Sequence, residues 1–461
     1  MAVTKSPGRV RVQLKRLFDV ISNDGLKISI LQAIPFWIAS LLTGLLAVGY
    51  TRLFNFSEWL LHGLLSWHGW LIFFLAPFGL LAGWLIVKIF APNARGSGIP
   101  QVMAAIELSS PKFARRLSRL LSLRIIIVKV VSSMFMVLGG AAIGREGPTI
   151  QIAGSVFRMV SKWIPPSWPR ISQKSFIITG AAAGLAAAFN TPLGGIVFAM
   201  EELARIHISF FRSALFTAVI IAGLTAQLLL GPYLYLGYPD VSNVDHVVIF
   251  SGVIAAAAVA GLLGSAMCKL ILRLMRWRRG LGTLSSVLFV LGSGLVIASI
   301  AFFFSSEVLG SGKDIMLNTL FSSHKQVSWQ TVCARMAGPI LSFNVGGAGG
   351  VFAPALGAGA AIGAFLSGLF GFVGANANII ILSGMVGFLT GVTRTPFTSA
   401  ILVLEMTDRH SVIFHLMLAA LVANIVALIM DKHSFYEQLK KSYLNEEPKV
   451  PMRRPPVSPD D

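Results

Sequence analysis

From Met336 to Thr393 the chain reads MAGPILSFNVGGAGGVFAPALGAGAAIGAFLSGLFGFVGANANIIILSGMVGFLTGVT, 58 residues without an Asp, Glu, Lys or Arg. About 20 apolar residues cross a bilayer as a helix, so this stretch is too long for one crossing and suits two or three. It is interrupted by Gly346-Gly347-Ala348-Gly349-Gly350 and by Asn376 and Asn378, which predicts segments that enter the membrane and turn back. The same signature recurs at residues 29–50, 69–87, 175–200, 214–239, 246–268, 280–305 and 410–430, all free of Asp, Glu, Lys and Arg. The fold class is therefore all-α and polytopic.

Composition agrees. Hydrophobic residues make up 55% of the 461 and charged residues 12%, about half the charged share of a soluble domain, and mean hydropathy is +0.76. Lys and Arg number 38 against 19 Asp and Glu, a formal net charge of +19. In a soluble chain that excess would suggest nucleic acid. Here it gathers at the ends and connections: Lys5, Arg9, Arg11, Lys15 and Arg16; Arg273, Arg276, Arg278 and Arg279; and Lys440, Lys441, Lys449, Arg453 and Arg454. Basic residues mark cytoplasmic segments, so both termini are expected in the cytoplasm, the neighbour is lipid, and no nucleic-acid partner is expected. The N-terminus has no cleavable apolar core and is not a secretory signal; its spacing suits a short amphipathic helix. The tail from His433 is too short for a regulatory domain. Trp67, Trp70 and Tyr235 suit interfacial anchoring. Cys268 and Cys333 lie in apolar stretches and the eight His are scattered, so no disulfide, metal or cofactor site is expected.

Two pairs of segments echo each other. Gly180–Glu201 aligns without gaps to Gly384–Glu405, matching Leu185 with Leu389, Thr191-Pro192 with Thr395-Pro396 and Glu201 with Glu405. Gly144-Arg-Glu-Gly-Pro148 echoes Gly350-Val-Phe-Ala-Pro354 at nearly the same offset. This predicts a duplicated half: a basic segment 1–26, a first membrane repeat 27–240, a second repeat 241–432 and a short C-terminal segment 433–461 containing Tyr436. Transporters built from repeats place substrate where the repeats meet.

One pattern occurs three times in polar, glycine-rich breaks: Gly96-Ser97-Gly98-Ile99-Pro100, Gly144-Arg145-Glu146-Gly147-Pro148 and Gly350-Val351-Phe352-Ala353-Pro354. Proline is favoured at a first helical position, where its missing N–H leaves nothing unpaired, and glycine lets the backbone turn before it. Each copy predicts a helix beginning inside the membrane, with unpaired N–H groups worth roughly half a positive charge per helix. Three such ends would compensate a permeating anion without a cationic side chain to trap it. Cation transport fits poorly, because it calls for carbonyl ends or carboxylate rings.

At these residues the sequence resembles the CLC family of chloride channels and proton-coupled chloride transporters. GSGIP at 96–100, GREGP at 144–148 and GGVFAP at 349–354 match its three anion-pathway motifs in order, and the resemblance runs from about residue 27 to Tyr436. It implies a CLC-like fold of two inverted repeats with tilted, incomplete and re-entrant helices, a homodimer with one pathway per subunit, and chloride and protons as substrates in a bacterial-type inner membrane. It further implies that Ser97, with the Gly98-Ile99 turn after it, and Tyr436 face a central chloride together with the amides of Val351 and Phe352. The amides of Arg145, Glu146, Gly147 and Ala353 would line an outer site. Glu146 would be the external gate and proton acceptor, standing in for the anion until it is neutralised or swings out; burial there opposes ionisation and the helix dipole favours it. Glu202, expected at the cytoplasmic interface, would be the inner proton glutamate, the alternative being a solvated helix-end carboxylate near Arg205, whereas Glu201 and Glu405 are expected to be structural. Serine at 97 resembles the chloride-preferring form, nitrate-preferring relatives having proline there, and with GREGP it departs from the fluoride-exporting branch. Gln101 and Met103 depart from exchangers that carry acids after this motif, which leaves the proton entry route open. The function expected is chloride/proton exchange, with a passive chloride channel of the same fold as the alternative. A membrane-embedded enzyme is the remote one, lacking a nucleophile-base or metal set.

Overall fold

The computed structural model describes residues 24–204, 212–231, 234–242 and 246–445. The five N-terminal basic residues with their expected helix, Arg205, and Lys449, Arg453 and Arg454 lie outside the described residues. Eighteen α-helices follow one another: α1 Asp24–Trp67, α2 Ile72–Phe90, α3 Ile99–Glu107, α4 Ala114–Leu120, α5 Leu123–Leu138, α6 Glu146–Ser161, α7 Gln173–Phe189, α8 Pro192–Phe198, α9 Arg212–Leu230, α10 His246–Arg278, α11 Thr283–Phe303, α12 Lys313–Phe321, α13 Trp329–Val345, α14 Phe352–Leu369, α15 Gly374–Thr393, α16 Pro396–Thr407, α17 Ile413–Met430 and α18 Phe435–Asn445. A π-turn, Ala199–Ala204, extends α8. Among the described residues, nine helical segments are long and apolar enough to cross a membrane, and strand pairing is confined to two isolated bridges. The protein is an all-α, multi-pass integral membrane protein.

The long charge-free run divides into α13, α14 and α15. Its first break falls on Gly346–Val351, as the glycines predict. The second falls on Phe370–Val373, where Gly371 takes a left-handed φ of 74°. Asn376 and Asn378 therefore sit in the first turns of α15 rather than at the break, and Asn378 donates from Nδ2 to the Asp240 carbonyl at 2.7 Å.

The run 175–200 is not one crossing either. Asn190 ends α7 with φ 58° and Thr191-Pro192 starts α8; Arg394 ends α15 with φ 60° and Thr395-Pro396 starts α16. Left-handed backbone is uncommon for residues other than glycine. Arg394 is held in it by donating Nη2 to the carbonyls of Ala427, at 3.0 Å, and Asp431, at 3.3 Å. The basic group at 273–279 is likewise mostly helical: α10 runs through Arg278 and stops just before Gly280.

The centre of the molecule is two helix pairs, α6 against α7 and α14 against α15. Their facing residues are small, which lets backbones approach closely in the manner of membrane helices. At Gly359 and Gly384 a Cβ on either residue would collide with the other's carbonyl oxygen. Outside these pairs α9, α11 and α17 present Leu228, Leu284 and Ile429 outward. Trp67 and Trp70 are 75% and 51% exposed, as anchors would be, but Tyr235 is only 3% exposed. It packs edge-on to Phe189 at 5.0 Å with the Lys313 ammonium 5.0 Å above its ring, so it is a core residue.

Candidate functional site

The three glycine-proline breaks come together through backbone pairing. Gly96 N–H donates to the Gly347 carbonyl at 2.7 Å and Gly349 N–H to the Gly96 carbonyl at 3.1 Å. Gly144 N–H donates to the Gly350 carbonyl at 2.7 Å and Gly350 N–H returns the bond to Gly144 at 2.9 Å. The loop before α14 is thus the centre rung of a ladder, with the loops before α3 and α6 on either side. The starts of all three helices meet there.

Helix α5 braces the ladder from behind. The fully buried Lys129 donates Nζ to the carbonyls of Ala94, at 3.0 Å, and Gly96, at 2.8 Å. Ser132 Oγ donates to the Gly83 carbonyl at 2.7 Å and accepts from Ala348 N–H at 3.0 Å. Gln101 donates Nε2 to the carbonyls of Asn93, at 3.1 Å, and Arg95, at 2.7 Å, so its amide pins the loop, and Met103 is also buried. Lys129 and Ser132 do not figure in the motif reading. The available signal was the lone lysine in LRIIIVKVVSSMFMVL, since an ionisable residue in an apolar span is functional by default.

None of the three helix starts carries a side-chain cap. Gly98, with φ 104°, makes the turn into α3 so tightly that a Cβ would stand 2.7 Å from the Gly147 carbonyl. This brings Ser97 against the first turn of α6. Ser97 is 2% exposed and its hydroxyl has no hydrogen-bond partner. From the first turn of α18, anchored by Phe435 against Phe343 at 5.4 Å, the fully buried Tyr436 faces Ser97, and its hydroxyl too has no well-formed hydrogen bond. Ile99, Val351, Phe352 and Ala353 are buried around them.

Glu146 is the first residue of α6 and 1% exposed. Neither carboxylate oxygen makes a hydrogen bond of ordinary geometry, although its own N–H and that of Ala353 act on it. It is not paired to Arg145, whose Nη1 donates to Asn55 Oδ1 at 2.9 Å. Glu202 lies in the π-turn after α8, also buried at 2% exposed, and so is not a solvated helix-end carboxylate. Tyr436 is near enough to feel the charge of both Glu202 and Glu146.

Glu201 and Glu405 have a different job. Glu405, on α16, accepts from Leu193 N–H at 3.0 Å and Gly194 N–H at 2.6 Å in the first turn of α8. Glu201, after α8, accepts from Phe397 N–H at 3.2 Å and from Thr398 N–H and Oγ1, both at 2.7 Å, in the first turn of α16. Each caps the other's helix. Among the described residues no cluster of His, Cys, Asp and Glu could hold a metal ion.

A family model described as voltage gated chloride channel matches residues 78–428. The H(+)/Cl(-) exchange transporter ClcA of Citrobacter koseri is 29% identical over 385 residues, covering 80% of this chain and 78% of the relative; its namesake from Salmonella agona is 29% identical over 394 residues, 82% and 79%. Among solved structures, a slow cyanobacterial Cl-/H+ antiporter superposes with a TM-score of 0.78 at 24% identity, over 90% of this chain and 99% of that one. A CLC-type fluoride/proton antiporter gives 0.74 at 17% identity, over 91% and 99%.

Proposed function

The chain belongs to the voltage gated chloride channel family, and from that premise we propose that it exchanges chloride for protons across the membrane. The observation that carries this reading is the meeting of three uncapped helix starts with two buried, unpaired hydroxyls, Ser97 and Tyr436. A buried polar group left unpaired costs about 1–3 kcal/mol, and such groups are retained where a ligand uses them. A small anion suits this set, because the helix-start N–H groups and both hydroxyls can donate to it and each helix start adds about half a positive charge.

The central chloride takes the hydroxyls of Ser97 and Tyr436 and the amides of Val351 and Phe352, at the turn made by Gly98 and Ile99. The outer site takes the amides of Arg145, Glu146, Gly147 and Ala353. Glu146, rooted at one of these amide sets, competes for the outer site as a tethered anion. Protonation removes its charge and its claim on the donors, which couples a proton taken up from outside to passage of chloride. Glu202 serves as the inner proton group, and the nearness of Tyr436 to both carboxylates supports a shared route. Two inverted repeats, residues 27–240 and 241–432, form each subunit of a homodimer with its own pathway, in a bacterial inner membrane with both termini cytoplasmic.

Reconstitution tests this directly. A chloride gradient across sealed vesicles is expected to drive protons uphill, and Glu146→Gln is expected to keep chloride flux while abolishing proton movement. Chloride flux without proton movement in the unmodified protein would return the passive-channel reading, and pH-driven exchange retained in Glu146→Gln would sink the role of that residue.

A further inference from the structure

A cavity of about 410 Å³ opens in front of Ser97, between α2, the end of α10, the loop before α3 and α18. It is much larger than a halide route requires. Chloride is little bigger than a water molecule, whose share of liquid volume is about 30 Å³, whereas small organic ligands fill pockets of roughly 300–1,000 Å³.

Four cations line it, Lys88, Arg95, Arg278 and Arg279, and among its lining residues there is no Asp or Glu. Arg95 and Arg278 are close enough to repel each other. Their places are nonetheless set by the structure. The Arg278 guanidinium lies 5.8 Å from the Trp84 ring and 5.3 Å from Phe289, and donates to the Asn344 carbonyl. The Lys88 ammonium lies 4.6 Å from the same Trp84 ring, and Arg95 packs 5.2 Å from the ring of Tyr443. Aromatic and aliphatic groups such as Phe343 and Leu281 form the rest of the wall, with the hydroxyls of Thr283 and Ser286.

Gathered cations can steer a monovalent anion to the mouth, but it needs no such close set to hold it, since strong holding slows release. Guanidinium forks match phosphate oxygens two at a time, and aromatic walls suit a flat or apolar body attached to them. We propose that this cavity binds a phosphate-bearing polyanion of nucleotide size, which from there stands between bulk solution and Ser97 and blocks the anion route. The binding half stands on the cavity alone; the blocking half rests on the chloride pathway proposed above.

The test is calorimetric titration of the full chain, in nanodiscs of zwitterionic lipid, with tripolyphosphate, ATP, adenosine and a short-chain soluble phosphoinositide. Tripolyphosphate and ATP are expected to bind at one site per chain, more weakly as salt rises, and adenosine is expected not to bind. Displacement of ATP by the phosphoinositide supports the same phosphate chemistry from a lipid headgroup; no displacement assigns it to soluble phosphates. Lys88→Gln combined with Arg279→Gln is expected to weaken ATP binding at least tenfold, its chloride flux without ATP reporting that it folds. Equal ATP affinity in that variant, adenosine binding as tightly as ATP, or no binding of any phosphate compound overturns the site. In vesicles, ATP on the cavity side is expected to slow chloride flux. Binding without slowing overturns the block, whereas ATP binding in a protein that moves no chloride at all overturns the anion-route reading and leaves the cavity standing.

Discussion

Five helices begin at proline-marked breaks in the membrane-embedded part of this protein, and their first turns are finished in two opposite ways. At α8 and α16 a glutamate from the partner helix closes the end, Glu405 for one and Glu201 for the other. At α3, α6 and α14 the residue before the helix supplies no cap, and the one carboxylate at hand, Glu146, makes no hydrogen bond of ordinary geometry although the N–H groups of Glu146 and Ala353 act on it. The surroundings explain the difference. Leu193 and Phe397, at the closed starts, are 53% and 48% exposed on an apolar surface, where free N–H groups would face hydrocarbon at a cost of several kcal/mol each. Ile99, Glu146 and Phe352, at the open starts, are wholly inside the protein, and the loops before them are paired to one another. The chain has the means to cap a helix with a well-formed carboxylate bond, so three converging ends that lack one, with Glu146 among them but not bonded in ordinary geometry, mark a place where the donors serve something else.

The largest effect is expected from opening a closed end. Glu405→Ala removes two hydrogen bonds to a charged acceptor, each worth about 1.5–3 kcal/mol, and is expected to destabilise the protein by about 3 kcal/mol or more. Thermal unfolding in detergent measures it. Acetate is expected to restore part of the loss, and chloride affinity is expected to stay unchanged. A destabilised variant that acetate does not rescue would mean that Glu405 acts by packing rather than by capping.

Closing an open end is the converse. Val351→Asp places a carboxylate at the N-cap of α14, where it can accept from the next amides. It is expected to lower chloride flux by about a hundredfold, equivalent to about 2.7 kcal/mol, and to abolish the rise in melting temperature that chloride gives the unmodified protein. Flux near the original level would show that the α14 amides are not the anion's ligands.

How far these two classes can be told apart before the chain is folded depends on distance along it. Glycine and proline act locally, so the starts at Ile99, Glu146 and Phe352 are legible as motifs, and so is the likeness of Thr191-Pro192 to Thr395-Pro396. Pairings between residues distant along the chain, 33 positions for Lys129 with Gly96 and 212 for Glu405 with Leu193, are not. Nothing near Glu405 indicates that its oxygens meet Leu193 and Gly194, and nothing near Lys129 indicates that it holds the Gly96 loop. The repeat alignment places Glu201 opposite Glu405 as matching residues but cannot show that each closes the other's helix. Tyr235 failed as an anchor for the same reason: its ring is claimed by Phe189, 46 positions earlier. Absence of charge, in turn, says only that a segment can lie in lipid; it does not register the left-handed turns at Asn190 and Arg394 that cut one run and end another.

Selectivity is expected to respond less strongly than flux. Ser97→Pro removes one hydroxyl donor from the open set and leaves the helix ends in place. Loss of a single hydrogen bond of about 1 kcal/mol is expected to shift preference from chloride towards nitrate by roughly fivefold to tenfold, read from competition in flux assays. Unchanged selectivity would remove Ser97 from the site.

The smallest effect carries the sharpest sign. The Tyr436 hydroxyl is buried and makes no well-formed hydrogen bond in the protein, although it faces Ser97, while its ring packs on Phe435 at 5.6 Å. Tyr436→Phe keeps that packing and deletes a donor whose burial costs the fold about 1–3 kcal/mol. Stability without chloride is therefore expected to stay the same or rise, and chloride affinity to fall by roughly fivefold, about 1 kcal/mol. Glu405→Ala is expected to do the reverse, lowering stability and sparing affinity. A hydroxyl that merely supported the fold would lower stability when removed, so the two measurements on this one variant decide whether Tyr436 belongs with the open helix ends or with the closed ones.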